Sequence, residues 1–292
     1  MEMQVGGAET HVLELAKELN RRNHQVYVMS AGGKYAEILK NEGISHMYAP
    51  LKDKKPANMM KSYQLIKQIV KDKNIEVVHA HARIPAFIAG KACKSLKIPF
   101  VTTVHGIYKV NFLLKCLSNW GQKTLAVSED IKDQIVRDYQ LDPANVGITV
   151  NGINTQEFCK GYQSEIAKEL GIAKEKFHII HVSRLDKESS NLAKMLVHVF
   201  DNLTQKTSRE IQLIIVGDGN DFETVKALAN NHRDIILTGL RTDVGKILTC
   251  SDVFVGVSRS ALEAMSCEVP VILAGNKDYG QGFIGIFEEN KK

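Results

Sequence analysis

The chain lacks the features that mark membrane-spanning, secreted and nucleic-acid-binding proteins. None of its apolar runs approaches the ~20 residues that a membrane-spanning helix needs, so it is not expected to cross a bilayer. Its five cysteines are scattered and without CxxC spacing, which predicts no disulfide framework and no metal site and fits a reducing cytoplasm. The opening residues 1–7 are polar and acidic, so no signal peptide is expected. A modest, dispersed net charge of +5 predicts no nucleic-acid partner.

Short apolar runs alternate with helical patterns along the whole chain. Apolar residues recur at helical spacing from Val12 to Leu19 and predict an amphipathic helix that begins just after Gly6 and Gly7. The alternation predicts an α/β fold with parallel sheets covered by helices. Strands are predicted at 25–29, 75–81, 100–106, 124–128 and 147–152, and again at 177–183, 211–219, 234–239, 252–257 and 269–275.

The two series of strands predict two Rossmann-like domains. A polar stretch without a strand pattern separates them at about 153–175, and we place the domains at 1–160 and 161–292. A glycine-rich loop normally follows a buried strand, and none precedes Gly6. The other end stops after a strand and a turn with no closing helix. We therefore expect the chain to be truncated at both ends.

The first half offers two candidate ligand contacts. Gly6 and Gly7 stand at a helix start, where free backbone N–H groups attract anions, although a simple tight turn is the alternative interpretation. His105 ends a predicted strand, and a satisfied structural histidine is the alternative there. His79 and His81 alternate about their strand and show no metal-ligand spacing.

Further candidates follow the strands of the second half. Arg184 stands at the carboxyl end of a buried strand and can grip a diphosphate bidentately, the alternative being a salt bridge with Asp186. Glu263 lies early in a helix and can reach a ribose, or is only a favourable first-turn charge. Four further candidate ligand contacts stand where later strands end at the same edge of the sheet: Gly217, Gly239, Leu240 and Arg241.

Several segments occur in a characteristic order. They are GGAETHVLELAKEL, VVHAH, TTVHG, AVSEDIK, TVNGIN, HVSRLDKE, LIIVGDG, ILTG, DVFVGVS and LEAMSCEVPVI. In this order, over nearly the whole chain, they resemble the family 4 retaining glycosyltransferases of the GT-B type. The resemblance implies two Rossmann-like domains facing each other across a cleft, with the acceptor bound by the first and the nucleotide sugar by the second.

The resemblance also implies an activity and residue roles. A sugar would pass from a nucleotide diphosphate donor, the co-substrate, to a hydroxyl of a saccharide or lipid-linked acceptor, with retention and without a cofactor or required metal. Gly6 and Gly7 would approach the diphosphate, and His105 would lie near the donor sugar. Arg184, with Lys187 nearby, would neutralise the leaving diphosphate. The loop Gly239–Arg241 would border the base, and Glu263 would contact the ribose.

Two positions depart from the family pattern. Val255 replaces the first glutamate of the pair that ends at Glu263, and Ser189 replaces a lysine five residues after Arg184. These departures leave two alternatives open: a non-catalytic nucleotide-sugar-binding protein, and a sugar-nucleotide 2-epimerase of the same fold. Cell-surface polysaccharide or glycolipid synthesis in the cytoplasm is the favoured interpretation. A basic cluster of Lys52, Lys54 and Lys55 would allow peripheral contact with the inner face of the membrane.

Overall fold

The chain divides into two compact units in the computed structural model. The first spans Met1–Gly152 and the second Ile153–Lys292, whereas the junction proposed from the sequence follows residue 160. The structure describes residues 2–4, 6–52, 54–161, 163–187, 189–230 and 232–275, and the backbone of 285–287. The predicted truncation at the carboxyl end concerns residues outside this range. No helix in the described ranges combines the length and hydropathy of a membrane span.

The first unit is built from parallel strands and helices. Two strands pair in one small sheet, and four form another in the order β3-β4-β5-β6, with every pair parallel. The elements are α1 (Gly7–Arg21), β1 (Tyr27–Ser30), α2 (Lys34–Asn41), β2 (Ser45–Tyr48), α3 (Pro56–Asp72), β3 (Val78–Ala80), α4 (Arg83–Leu96), β4 (Phe100–Val104), α5 (Phe112–Cys116), β5 (Lys123–Ala126), α6 (Glu129–Tyr139), a 3₁₀ turn (Pro143–Asn145) and β6 (Val146–Ile148).

The second unit contains one six-stranded sheet in the order β12-β11-β10-β7-β8-β9. All its pairs are parallel except β11 with β12. The elements are α7 (Ser164–Leu170), β7 (Phe177–Val182), α8 (Asn191–Lys206), β8 (Ile211–Val216), α9 (Phe222–Ala229), β9 (Ile235–Leu237), α10 (Val244–Leu248), β10 (Val253–Gly256), α11 (Arg259–Ser266), β11 (Val271–Leu273) and β12 (Gly285–Phe287).

The central position of β8 explains its sequence. Every residue from Ile211 to Val216 is buried, because helices cover both faces of the sheet. Phe254 and Ile214 belong to the cluster on one face, and Phe200 and Ile215 to the cluster on the other. A strand buried on both faces carries mostly apolar residues rather than an alternating pattern, and the apolar run 213–216 that follows Gln212 is the signal that the sequence offers.

The parallel α/β organisation predicted from the sequence is confirmed, and each predicted strand is present with shorter bounds. The sequence analysis missed β2, whose segment Ser45–Tyr48 is not an apolar run and is exposed at both ends. It also missed the antiparallel pairing of β12 with β11. Both are edge strands of their sheets, where burial imposes the weakest pattern on the sequence.

The loops that follow β7, β8 and β9 are fastened to one another. The Gly217 N–H donates to the Gly239 carbonyl at 3.0 Å, and the Leu185 N–H donates to the Asp218 carbonyl at 3.0 Å. Gly217 has φ +144°, and a Cβ at this position would lie 1.8 Å from the Ser183 carbonyl oxygen. This close approach and this backbone conformation both require glycine.

We expect Gly217→Ala to lower the free energy of unfolding by about 3 kcal/mol, because it combines an unfavourable φ with a steric clash. Gly171 is the matched control, since it has φ +71° but nothing within 4 Å of its ideal Cβ. Gly171→Ala should cost only about 1 kcal/mol. Urea titrations of both variants measure the difference, and equal losses would contradict the role given to the Ser183 contact.

Candidate functional site

The glycine pair predicted from the sequence stands at the amino end of α1. Gly6 precedes the helix in an extended conformation, and Gly7 is its first residue. The Gly6 carbonyl accepts hydrogen bonds from the Thr10 N–H at 2.8 Å and from Thr10 Oγ1 at 2.9 Å. Nothing lies within 4 Å of an ideal Cβ at Gly7, so the space beside this helix start is open. Free N–H groups and the positive end of the helix dipole make such a position suitable for an anion.

Three histidines converge at the carboxyl edge of the first unit. His81 follows β3, His105 follows β4, and His11 extends from the second turn of α1. Their ligand nitrogens lie within 4.8 Å of one another, a grouping that can hold a metal ion. His81 Nδ1 lies 3.1 Å from His105 Nε2, a hydrogen-bond distance. The sequence analysis found no metal-ligand spacing because the grouping arises from parallel strands that end side by side.

Burial keeps two imidazoles of this region neutral. Desolvation lowers the pKa of His79 to about 4. It lowers the pKa of His81 well below the usual value, with further lowering from the neighbouring imidazoles. His79 Nε2 lies 2.7 Å from Thr103 Oγ1, which fixes its ring. At neutral pH these side chains therefore offer hydrogen-bonding groups and lone pairs rather than positive charge.

In the second unit, Arg184 and Lys187 are exposed in the loop after β7. Within the described ranges no carboxylate pairs with the Arg184 guanidinium. The alternative salt bridge is not formed, because Asp186 Oδ1 instead accepts from the Asn220 N–H at 3.3 Å. Ser189, at the position of the family lysine, donates through Oγ to the Arg184 carbonyl at 2.5 Å. Ser189 therefore fastens the loop and contributes no charge.

Arg241 is engaged within the protein. Its Nε and Nη2 donate to the two carboxylate oxygens of Asp243 at 2.9 and 2.7 Å, and its Nη1 donates to Glu169 at 2.7 Å. These bonds raise the pKa of Arg241 and lower that of Asp243. The Arg241 guanidinium thus holds its own loop against α7 and the start of α10. Gly239 and the exposed Leu240 remain the parts of this loop that a ligand can contact.

Glu263 is buried and paired with a residue that the sequence analysis overlooked. Arg259 Nε donates to Glu263 Oε1 at 2.8 Å, and both side chains are at most 10% exposed. Nη1 and Nη2 of Arg259 are buried without a hydrogen-bond partner in the described part of the chain. Arg259 and Glu263 stand four residues apart in RSALE, and this i,i+4 spacing is the sequence pattern that predicts their pairing. Val255, at the position of the first family glutamate, is buried in β10.

Comparison with known proteins identifies the family. The profile of Glycosyltransferase Family 4 matches residues 5–157, more than half of the chain. The chain belongs to glycosyltransferase family 4. The profile of Glycosyl transferases group 1 matches residues 176–282. The protein is therefore a glycosyltransferase of hexosyltransferase type that acts in glycoconjugate synthesis, and this interpretation is favoured over the epimerase and the non-catalytic binding protein.

Two curated relatives of this glycosyltransferase are similar over most of the chain. The N-acetyl-alpha-D-glucosaminyl L-malate synthase of Bacillus anthracis is 25% identical, over 92% of this chain and 75% of the relative. The UDP-Gal:alpha-D-GlcNAc-diphosphoundecaprenol alpha-1,3-galactosyltransferase of Escherichia coli is 26% identical, over 74% of this chain and 62% of the relative.

A solved structure confirms the fold class. Anabaena Alr3699/HepE, crystallised with UDP-glucose, matches with a TM-score of 0.74 at 19% identity, over 91% of this chain and 76% of the other. At that identity the likeness concerns the fold alone. Together with the two parallel α/β units, it confirms the predicted GT-B fold.

The buried histidines predict a pH dependence of folding stability. Because the folded-state pKa of His79 is depressed, the unfolded chain binds the proton first, and stability falls as pH falls from about 6.5 to about 4. Over that window His79 alone should lower the free energy of unfolding by about 3 kcal/mol, and His79→Gln should remove this contribution while that of His81 remains. The exposed His24 provides the control variant, His24→Gln. Urea titrations at several pH values measure the slope, and an unchanged slope in His79→Gln would contradict the assignment.

Proposed function

We propose that this glycosyltransferase transfers a hexose from a nucleotide diphosphate sugar to a hydroxyl acceptor with retention of configuration and without a required metal. The observation that carries the proposal is the exposed Arg184 guanidinium at the carboxyl end of β7, with which no carboxylate of the described ranges pairs. Open parallel sheets bind ligands at that edge, and a guanidinium there can neutralise a leaving diphosphate as the glycosidic bond breaks.

The surroundings of Arg184 support a donor site in the second unit. Leu185 and Gly217 tie the loop after β7 to the loops after β8 and β9, so these loops form one hydrogen-bonded edge. We assign the diphosphate to Arg184 and Lys187. We assign the base to the edge at Gly239 and Leu240, since the guanidinium of Arg241 is bound to carboxylates.

The first unit supplies groups of a different kind. Gly6 and Gly7 leave an open helix start for an anionic oxygen of the donor. We assign His105 to the donor sugar, with His81 as its hydrogen-bond partner at 3.1 Å. Because His81 is neutral, it can hold the His105 ring without adding charge, which suits the recognition of sugar hydroxyls.

We assign to the enzyme an acceptor that is a saccharide or a lipid-linked sugar. The reaction would then belong to cell-surface polysaccharide or glycolipid synthesis at the inner face of the membrane. The Escherichia coli relative is named for a UDP-sugar donor and a diphosphoundecaprenol-linked acceptor, which supports this assignment. A membrane-contact candidate lies at 107–115, where Phe112 is 84% exposed and Leu113 is 66% exposed. Lys109 and Lys115 are exposed beside them, and this combination suits anionic lipid. It is a stronger candidate than the basic cluster, where Lys52 pairs with Glu2 at 2.8 Å.

A panel of nucleotide sugars tests the proposal. The purified protein should bind at least one of them, hydrolyse it slowly, and transfer its sugar to a lipid-linked or saccharide acceptor in a membrane extract. Nuclear magnetic resonance of the product reports whether the anomeric configuration is retained. Binding without hydrolysis or transfer would favour a non-catalytic protein, and release of an epimerised sugar would favour an epimerase.

We expect Arg184→Ala to weaken nucleoside diphosphate binding by at least ~1.5 kcal/mol, roughly tenfold in Kd, because a charge-assisted contact is lost. Arg233→Ala is the matched control, since Arg233 is an exposed arginine of the same unit that pairs with Asp234. Isothermal titration calorimetry measures both variants. An unchanged affinity in Arg184→Ala would remove this residue from the site.

We expect replacement of Phe112 and Leu113 by serine to reduce binding to vesicles of phosphatidylcholine and phosphatidylglycerol by about tenfold or more, since two apolar side chains would no longer be buried in the interface. Met195→Ser serves as the control, because Met195 is an exposed apolar residue of the other unit. Vesicle sedimentation gives the bound fraction. Equal binding by the double variant and the wild type would exclude this surface as the contact.

A further inference from the structure

Arg259 is a buried cation with most of its hydrogen-bonding capacity unused. Its side chain is 6% exposed, and Nε is committed to Glu263 Oε1 at 2.8 Å. Nη1 and Nη2 carry four further N–H groups, and neither nitrogen has a partner in the described ranges. Buried donors are almost always satisfied in native proteins, and leaving them unpaired is costly. The arrangement therefore indicates an acceptor that lies outside the described part of the chain.

The position of Arg259 links it to the donor edge of the second unit. It is the first residue of α11, which directly follows β10. Ser260 Oγ donates to the Val182 carbonyl at 3.2 Å, at the end of the strand from which the Arg184 loop emerges. His181, in that strand, lies with Nδ1 2.8 Å from the Val255 carbonyl oxygen of β10. The start of α11 and the Arg184 loop therefore occupy adjacent places at one edge.

The geometry of the free nitrogens selects the type of ligand. Because Nε faces Glu263, the Nη1–Nη2 edge is left as a planar pair of donors, which matches two oxygens of a phosphate or a carboxylate. Burial would strengthen such bonds, since water competes poorly at low dielectric. A neutral hydroxyl would accept fewer of the four donors and would leave the guanidinium charge less compensated.

We propose that Arg259 binds an oxyanion of the nucleotide sugar and adds a third cation to Arg184 and Lys187 at this edge. This inference rests on the proposed nucleotide-sugar donor. The oxyanion belongs either to the diphosphate or to the carboxylate of an acidic donor sugar, since both present the same pair of oxygens. Glu263 then has a second role beside the ribose contact that the family resemblance implies, because it orients the guanidinium.

The experiment compares the wild-type chain with Arg259→Lys, which keeps the charge and removes the planar pair of donors. Calorimetry uses UDP, ADP and GDP to find the preferred base, followed by the corresponding monophosphate, UDP-glucose and UDP-glucuronate. If the diphosphate is the oxyanion, Arg259→Lys should lose at least tenfold in diphosphate affinity and less than twofold in monophosphate affinity. If the sugar carboxylate is the oxyanion, only the affinity for UDP-glucuronate should fall.

A structural role would give a different pattern. If Arg259→Lys folds normally and binds every probe as the wild type does, the inference is wrong while the proposed function stands. If the wild type itself binds no nucleotide, both fail. Arg233→Lys is the control for a general effect of removing a guanidinium from this unit.

A second variant keeps the test open if Arg259→Lys folds poorly. In Arg259→Gln, the added substitution Ser189→Lys should restore at least fivefold of the lost diphosphate affinity, because it returns a cation to the position where the family carries one. Stability alone does not predict such a rescue. Absence of rescue, in a double variant with a wild-type circular dichroism spectrum, would overturn the assignment of Arg259 to the diphosphate.

Discussion

The parallel pairing of β7 and β8 is the constraint on which the second unit depends. Six residues of each strand are in register, from Phe177 with Ile211 to Val182 with Val216. Their carboxyl ends therefore meet, and the chain must leave both strands at one place. Gly217 makes this possible, since only glycine allows its backbone to pass so close to the Ser183 carbonyl. A glycine that its position at a strand exit marks as a candidate ligand contact is thus first a requirement of packing.

The arginines at this edge differ in the number of protein carboxylates that pair with them. Arg241 is saturated by two carboxylates and works as an internal tie. Arg184 is exposed and has no carboxylate partner within the described ranges. Arg259 lies between these cases, with one carboxylate and two unused nitrogens. The number of nearby carboxylates, rather than the number of arginines, therefore decides how much cationic capacity is left for a ligand.

The sequence predicted the elements that depend on a local pattern of residues. It missed the contacts that form only when segments distant in the sequence come together. Burial on both faces imposes the apolar run 213–216 on β8, so the presence of this strand could be predicted directly. The exposed ends of β2 impose no such run. The family motifs indicated His105 and Glu263, but His81, the partner of His105, is not evident without the strand register. The commitment of Arg241 to Glu169 spans 72 positions of sequence, and no local spacing predicts it.

The two units present different chemistry at their sheet edges, and this difference has a physical origin. In the first unit, burial depresses the pKa of His79 and His81, so the edge carries neutral groups that suit hydroxyls. The second unit presents guanidinium groups, whose planar pairs of donors match two oxygens of a phosphate or carboxylate, so Arg184 and Arg259 suit oxyanions. A glycosyl donor combines both kinds of group, a polyhydroxyl sugar and a diphosphate. Neutral imidazoles suit the hydroxyls of a sugar, whereas only a fixed positive charge can stabilise the charge that develops on a diphosphate as the bond breaks.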